Sequence, residues 1–283
     1  MGQPEQRAEG AGPFTTRLTW HRSEGATVVW ESRLARKRGA LSVRAQGGTV
    51  TTSSAADAEA LGRLRRLNAV ASTAFVIGGA LFALGAAVAQ FGSGSDAVES
   101  ASIYFAGGLF FNIGGYTSLL QVLNAPRHSP EGGRLVTAGW RWWGYEPMRL
   151  DWLSTFVLFV GTLVFAVNLL DSFLQGLTTQ QINRLIWTPD VVGCVLFLVS
   201  GHLAFVEICH RSRPWPCLRS RSLGWWVVAV NQFGSVLFMV SALAAFTRPD
   251  TGSLINTGIA NWGTLSGALC FSIGGVLQAF ERP

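Results

Sequence analysis

Few side chains in this 283-residue sequence combine ionisable chemistry with an apolar setting. His202 lies near the middle of an uncharged stretch. An imidazole there works as a proton relay or a ligand, or it simply donates to a backbone carbonyl. Glu207 stands 14 residues after Gly193, and the same offset from Gly107 and Gly267 gives Gln121 and Glu281. That offset is about four helical turns, so each polar group shares a face with its glycine. Glu207, Gln121 and Glu281 therefore form a candidate polar layer, with Arg211, Arg213 or Arg127 as partners. It reads as a polar lock on assembly or, more sharply, as a proton-handling site. Cys209, His210 and Cys217 offer three soft ligands, but a fourth is missing and the spacing fits no zinc pattern. No metal or cofactor is expected.

The sequence holds no GxSxG, HExxH, P-loop or Rossmann fingerprint in context. His202 and Glu207 are five residues apart and face differently on a helix. An enzyme is not expected.

The elements that must position these residues are apolar. Charged residues make up 13% of the chain and hydrophobic ones 49%, against about a quarter charged in a soluble domain. The apolar residues gather into six runs, at 67–91, 101–123, 152–174, 190–210, 223–246 and 259–280. Each approaches the roughly 20 residues that cross a bilayer as a helix. The expectation is an all-α polytopic protein whose main partner is the lipid bilayer. The first 66 residues are polar and basic, with no signal-peptide pattern. Twenty of the 22 Lys and Arg residues fall on one side of an alternating six-span map, leaving Arg184 and Arg248 on the other. The positive-inside rule then puts both termini in the cytoplasm. The net charge of +6 is thereby used for topology, so no nucleic-acid partner is expected. Arg outnumbers Lys 21 to one, a usage in keeping with a GC-rich bacterium and its plasma membrane. Trp140, Trp142, Trp143, Trp152, Trp215, Trp225 and Trp226 fall at the expected cytoplasmic interface, Trp187 and Trp262 near the outer one. With all four cysteines within spans or on the cytoplasmic side, no structural disulfide is expected.

The spans share a core: GGALFALG from Gly78, GGLFFNIG from Gly107, GTLVFAVN from Gly161, GCVLFLVS from Gly193, GSVLFMVS from Gly234 and GALCFSIG from Gly267. Each reads Gly, small, two more residues, Phe, two more, then Gly, Ser or Asn. Positions i, i+4 and i+7 share a helix face, which gives a stripe of small, Phe, small. Small residues let helices approach closely, and a Phe can seat in the recess of an antiparallel neighbour. Phe82, Phe111, Phe165, Phe197, Phe238 and Phe271 are expected to face inward. The short steps between glycines fall within pairs of spans, the pattern of a two-helix hairpin used three times. The segments Gly193–Ser200, Gly234–Ser241, Gly107–Gly115 and Gly267–Gly275 resemble the YrhK domain, a two-span unit of bacterial membrane proteins. The resemblance implies a hairpin fold over 67–283 and no catalytic residues.

The expected organisation is a basic cytoplasmic segment at 1–66, hairpins at 67–124, 151–211 and 223–283, and cytoplasmic loops at 125–150 and 212–222. Within the first segment, LTWHRSEGATVVWESR reads as a small β-hairpin turning at Ser23-Glu24-Gly25, and 46–56 reads as a linker. The run Arg33, Arg36, Lys37, Arg38 carries the topology signal and meets anionic headgroups. Asn112, Asn168, Asn231 and Gln232 are expected in interhelical hydrogen bonds. Asp151, Asp171 and Asp190 read as caps or interface residues. The leading functional expectation is a non-enzymatic scaffold, sensor or assembly protein, homo-oligomeric through its small-residue faces. The alternative is a small-solute or proton-coupled carrier using His202 and the Glu207/Gln121/Glu281 layer.

Overall fold

The computed structural model describes residues 6–21, 25–44, 50–54, 56–92, 97–129, 134–210, 217 and 222–281. The N-terminal part is an antiparallel meander of β1 (Gln6–Ala11), β2 (Phe14–His21), β3 (Thr27–Glu31), β4 (Ala40–Arg44) and β5 (Val50–Ser54). A short helix, α1 (Ser32–Arg38), is inserted between β3 and β4. Leu18, Trp20, Val28, Ala35 and Leu41 fill the core of this small domain. Arg22, Ser23 and Glu24 of the expected turn lie outside the described residues, but β2 and β3 do pair antiparallel, from Arg17–Glu31 to His21–Thr27. The expected linker is corrected: Val50–Ser54 is an edge strand paired with β4. Its Val-Thr-Thr run favours extended backbone, and composition alone hid that.

The rest is helical: α2 (Ala58–Phe91), α3 (Ala97–Leu123), α4 (Leu150–Asp171), α5 (Thr179–Ile182), α6 (Thr188–Cys209), α7 (Leu223–Ala244) and α8 (Thr257–Phe280). A π-helical turn at Asn183–Trp187 joins α5 to α6. A two-stranded ribbon, β6 (Arg127–His128) and β7 (Leu135–Val136), lies between α3 and α4. The long helices form a closed ring in the order α2, α3, α4, α6, α7, α8, with α8 packed back on α2. Among the described residues five segments are long and apolar enough to cross a membrane: α2, α4, the run from α5 through α6, α7 and α8. The 27-residue α3 is not among them; Asn112, Tyr116, Thr117, Ser118 and Gln121 dilute its apolar character. Leu84, Val167, Val199, Val240 and Ile273 are among the apolar side chains exposed on the outside of the ring. A ring with such an exterior is a membrane protein by the logic of its solvent.

All six stripe phenylalanines are buried in one core. Phe165 stacks on Phe197 with centroids 5.2 Å apart, and Phe238 on Phe271 at 5.3 Å. The glycines are where the rings sit. Gly78 faces Phe111 and Gly107 faces Phe82; Gly161 faces Phe197 and Gly193 faces Phe165; Gly234 faces Phe271 and Gly267 faces Phe238. A side chain at any of these glycines would occupy the space of a ring. Free volume within the belt is about 10 Å³, no more than one water would fill.

Two side-chain expectations are corrected here. Asn112 and Asn231 donate to carbonyls four residues back in their own helices, Gly108 and Val227, a local bond open to a short polar side chain within a helix. Gln232, one methylene longer, does cross to the Leu198 carbonyl of α6.

Candidate functional site

The site is built by α1. Seven residues make a helix too short to persist alone, so docking must hold it. Gly39 ends it at φ 58, donating to the Ala35 carbonyl at 2.9 Å; that left-handed conformation suits glycine. Arg33, Arg36 and Lys37 are spaced i, i+3, i+4 and share one face. That face is pressed into one end of the helical ring.

Each cation has a seat on a different long helix or its adjoining cap. Arg33 grips Glu281, just past α8, in a bidentate pair: Nε to Oε1 at 2.7 Å and Nη2 to Oε2 at 2.6 Å. Arg36 donates Nη2 to Glu207 Oε2 of α6 at 2.9 Å, and Ser32 Oγ donates to Glu207 Oε1 at 2.7 Å. Lys37 Nζ donates to Gln121 Oε1 of α3 at 2.7 Å and to Asn68 Oδ1 of α2 at 3.1 Å. Asn68 in turn donates Nδ2 to the Gln278 carbonyl of α8 at 2.9 Å. Gln121 is 0% exposed and Glu207 1%.

The electrostatics separate the three seats. Burial opposes the charge on Arg33, but Glu281 outweighs it and raises the guanidinium pKa. Burial likewise opposes ionisation of Glu281, and Arg33, with help from Lys37 and Arg36, holds that carboxyl below its ordinary range. Lys37 has no carboxylate bonded to it. Burial and the neighbouring Arg36 pull its ammonium down to about 7, with Glu281 and Glu207 opposing and Arg33 adding to the fall.

Glu207, Gln121 and Glu281 thus stand in one layer, but their expected partners are corrected. Arg211 and Arg213 lie outside the described residues, and Arg127 pairs with Glu146 instead. The partners come from the N-terminal segment. The basic run is corrected too: Arg33, Arg36 and Lys37 turn inward, and only Arg38 is exposed. An i, i+3, i+4 pattern of cations was visible in the sequence; the reading of Arg33, Arg36, Lys37 and Arg38 as a topology signal at the headgroups concealed its inward role.

His202 lies elsewhere, exposed on the outer side of α6, and does not meet the layer. Trp152 is buried in the protein: its Nε1 donates to the Gly144 carbonyl at 2.9 Å and its ring stacks on Phe156. Trp140, Trp142 and Trp143 are exposed, while Trp215 lies outside the described residues. Asp151 is buried, accepts from the Trp152 amide and pairs with Arg149 at 2.7 Å. Cys209 and Cys217 form a disulfide, against expectation. His210 adopts φ 52 at the end of α6, and the two cysteine Cα atoms lie 5.7 Å apart. The expectation rested on compartment, and local geometry decides otherwise. His210 itself bonds Thr16 Oγ1 of β2 through Nδ1 at 2.9 Å. Among the described residues no cluster of three or more His, Cys, Asp or Glu could hold a metal.

Between α1 and the phenylalanine belt lies a cavity of about 110 Å³. Arg33, Arg36 and Lys37 roof it, Phe75, Phe197 and Phe271 floor it, and Ser118, Ser154, Ser200, Ser235 and Asn231 are on its walls. Serines 154 and 200 tie α4 to α6 by reciprocal bonds to each other's carbonyls at 2.9 and 2.8 Å. The chain matches no protein-family model, no curated protein and no solved structure.

Proposed function

We propose that this chain is a non-enzymatic membrane protein whose helical ring seats a soluble N-terminal domain through α1, in a scaffolding or sensing role. The observation that carries this reading is the three-point attachment of Arg33, Arg36 and Lys37 to Glu281, Glu207 and Gln121. In the proposed arrangement α3 spans as well, making six spans from three YrhK-like hairpins. The Lys and Arg bias supports a bacterial plasma membrane with the small domain in the cytoplasm. The test is hydrogen exchange on the full chain in lipid nanodiscs. In a Glu207→Gln/Glu281→Gln double variant, amides of α1 and β4 lose protection while those of α7 and α8 keep theirs. Unchanged protection across α1 would overturn the reading.

The carrier alternative draws on the cavity. Against it stand the filled phenylalanine belt and the placement of His202 away from the layer. Proteoliposomes carrying wild type or His202→Ala are expected to match protein-free vesicles in proton flux. Flux above that background in wild type, abolished in His202→Ala, would favour the carrier.

A further inference from the structure

The cavity under α1 has two unlike ends. Its roof brings three positive charges, from Arg33, Arg36 and Lys37, and lies against two carboxylates, Glu207 and Glu281. The nearby Asp151 is already engaged by Arg149 at 2.7 Å and stands 4.0 Å from Arg36 Nε. One positive charge on the roof is therefore left over, and Lys37, bonded among the described residues only to two amide oxygens, carries it. Two further donors belong to residues that line the cavity: Arg36 Nε and Gln278 Nε2 are buried and have no hydrogen-bond partner among the described residues. Buried donors are seldom left this way, since each costs about 1–3 kcal/mol. A negatively charged group at this end of the cavity would balance the charge that is left over, and small side-chain movements would turn these donors toward it. The opposite end is apolar, floored by Phe75, Phe197 and Phe271.

We propose that this cavity binds a small monovalent carboxylate, with its carboxylate under Lys37, Arg36 and Gln278 and its short apolar tail on the phenylalanine floor. A dry 150 Å³ cavity takes benzene, so about 110 Å³ suits an acid of about three or four carbons. A bare inorganic anion would meet the donors and leave the floor empty. A dicarboxylate would bring a second charge onto phenylalanine.

The inference rests on the seated α1 that roofs the cavity, and the test separates the two. Full-length protein in nanodiscs, just below neutral pH, is titrated with radiolabelled propionate, with butyrate or chloride as competitor at equal ionic strength. Saturable binding of one propionate per chain is expected, displaced by butyrate and not by chloride. Lys37→Met and Gln278→Leu each weaken it about tenfold or more. Gln278→Leu removes a side-chain donor that has no partner, so the fold loses no bond and the variant stays readable if Lys37→Met fails to fold. Absence of saturable binding, binding that survives both variants, or displacement by chloride as well as by butyrate would each overturn the proposal. Hydrogen exchange of α1 reports separately on the seat: a protected α1 with no propionate bound fails the ligand assignment alone.

Discussion

The Arg36–Glu207 pair sits where a charge is tolerated only with its partner. Arg36→Met leaves Glu207 buried with only Ser32, among the described residues, donating to it, and the expected loss is about 3–5 kcal/mol. The double variant Arg36→Met/Glu207→Met should recover most of that loss, because no lone charge remains. Thermal unfolding in detergent reads both; equal loss in the single and double variants would contradict the pairing. Lys37 gives a pH signature. Its ordinary pKa of 10.5 falls to about 7 in the fold, so between those values the unfolded chain binds a proton that the folded chain lacks. Stability should then rise with pH across that window. The charged groups acting on Lys37 are Arg33, Arg36, Glu207 and Glu281. Lys37→Met should flatten the rise, measured as melting temperature against pH. Glu281 works in the opposite range. Its carboxyl is held low, so its contribution is present above the ordinary carboxylate pKa and is lost as pH falls below it.

At the scale of elements, a glycine's tolerance depends on what it faces. Gly193 carries the ring of Phe165, so Gly193→Val forces the ring aside at about 1–3 kcal/mol. Gly62, in α2, faces open space, so Gly62→Ala should stabilise by about 0.5–1 kcal/mol through helix propensity. Unfolding of the two variants side by side checks the contrast. The helices were legible in the sequence because a bilayer leaves little freedom: an apolar run of the right length has one regular solution. The polar layer was half legible. Helical periodicity alone brought Gln121, Glu207 and Glu281 onto their glycine faces. It could not name α1 as their partner, because a seven-residue helix between two strands has no periodicity long enough to read. The seats of Arg33 and Arg36 also lie 248 and 171 residues away. The disulfide was hidden for another reason: a left-handed turn at His210 is a conformation, and residue type rarely announces it outside glycine and asparagine. The cavity is collective, lined from all six long helices and α1 together, so no single segment carries its mark.

For the whole molecule, orientation is the property to measure. A cysteine at Ser253, in the turn between α7 and α8, should react with an impermeant maleimide on intact cells. One at Thr19 of β2 should react only after permeabilisation, under the proposed cytoplasmic placement of the sheet; the reverse pattern would invert the protein. The attachment of α1 also carries a timetable. Residue 36 is made early, but Glu207 follows 171 residues later and Glu281 lies 248 residues beyond Arg33. At about 5–20 residues per second, the ribosome needs on the order of ten seconds to a minute to supply the last seat. Through that interval the sheet is already complete in sequence, while Arg33, Arg36 and Lys37 stand unpaired beside a membrane that is still receiving helices. Under the proposed cytoplasmic placement, those charges hold the nascent segment back from translocation and only afterwards are withdrawn into the protein. One short helix thus serves first as an address for the growing chain and later as the closure of the finished one.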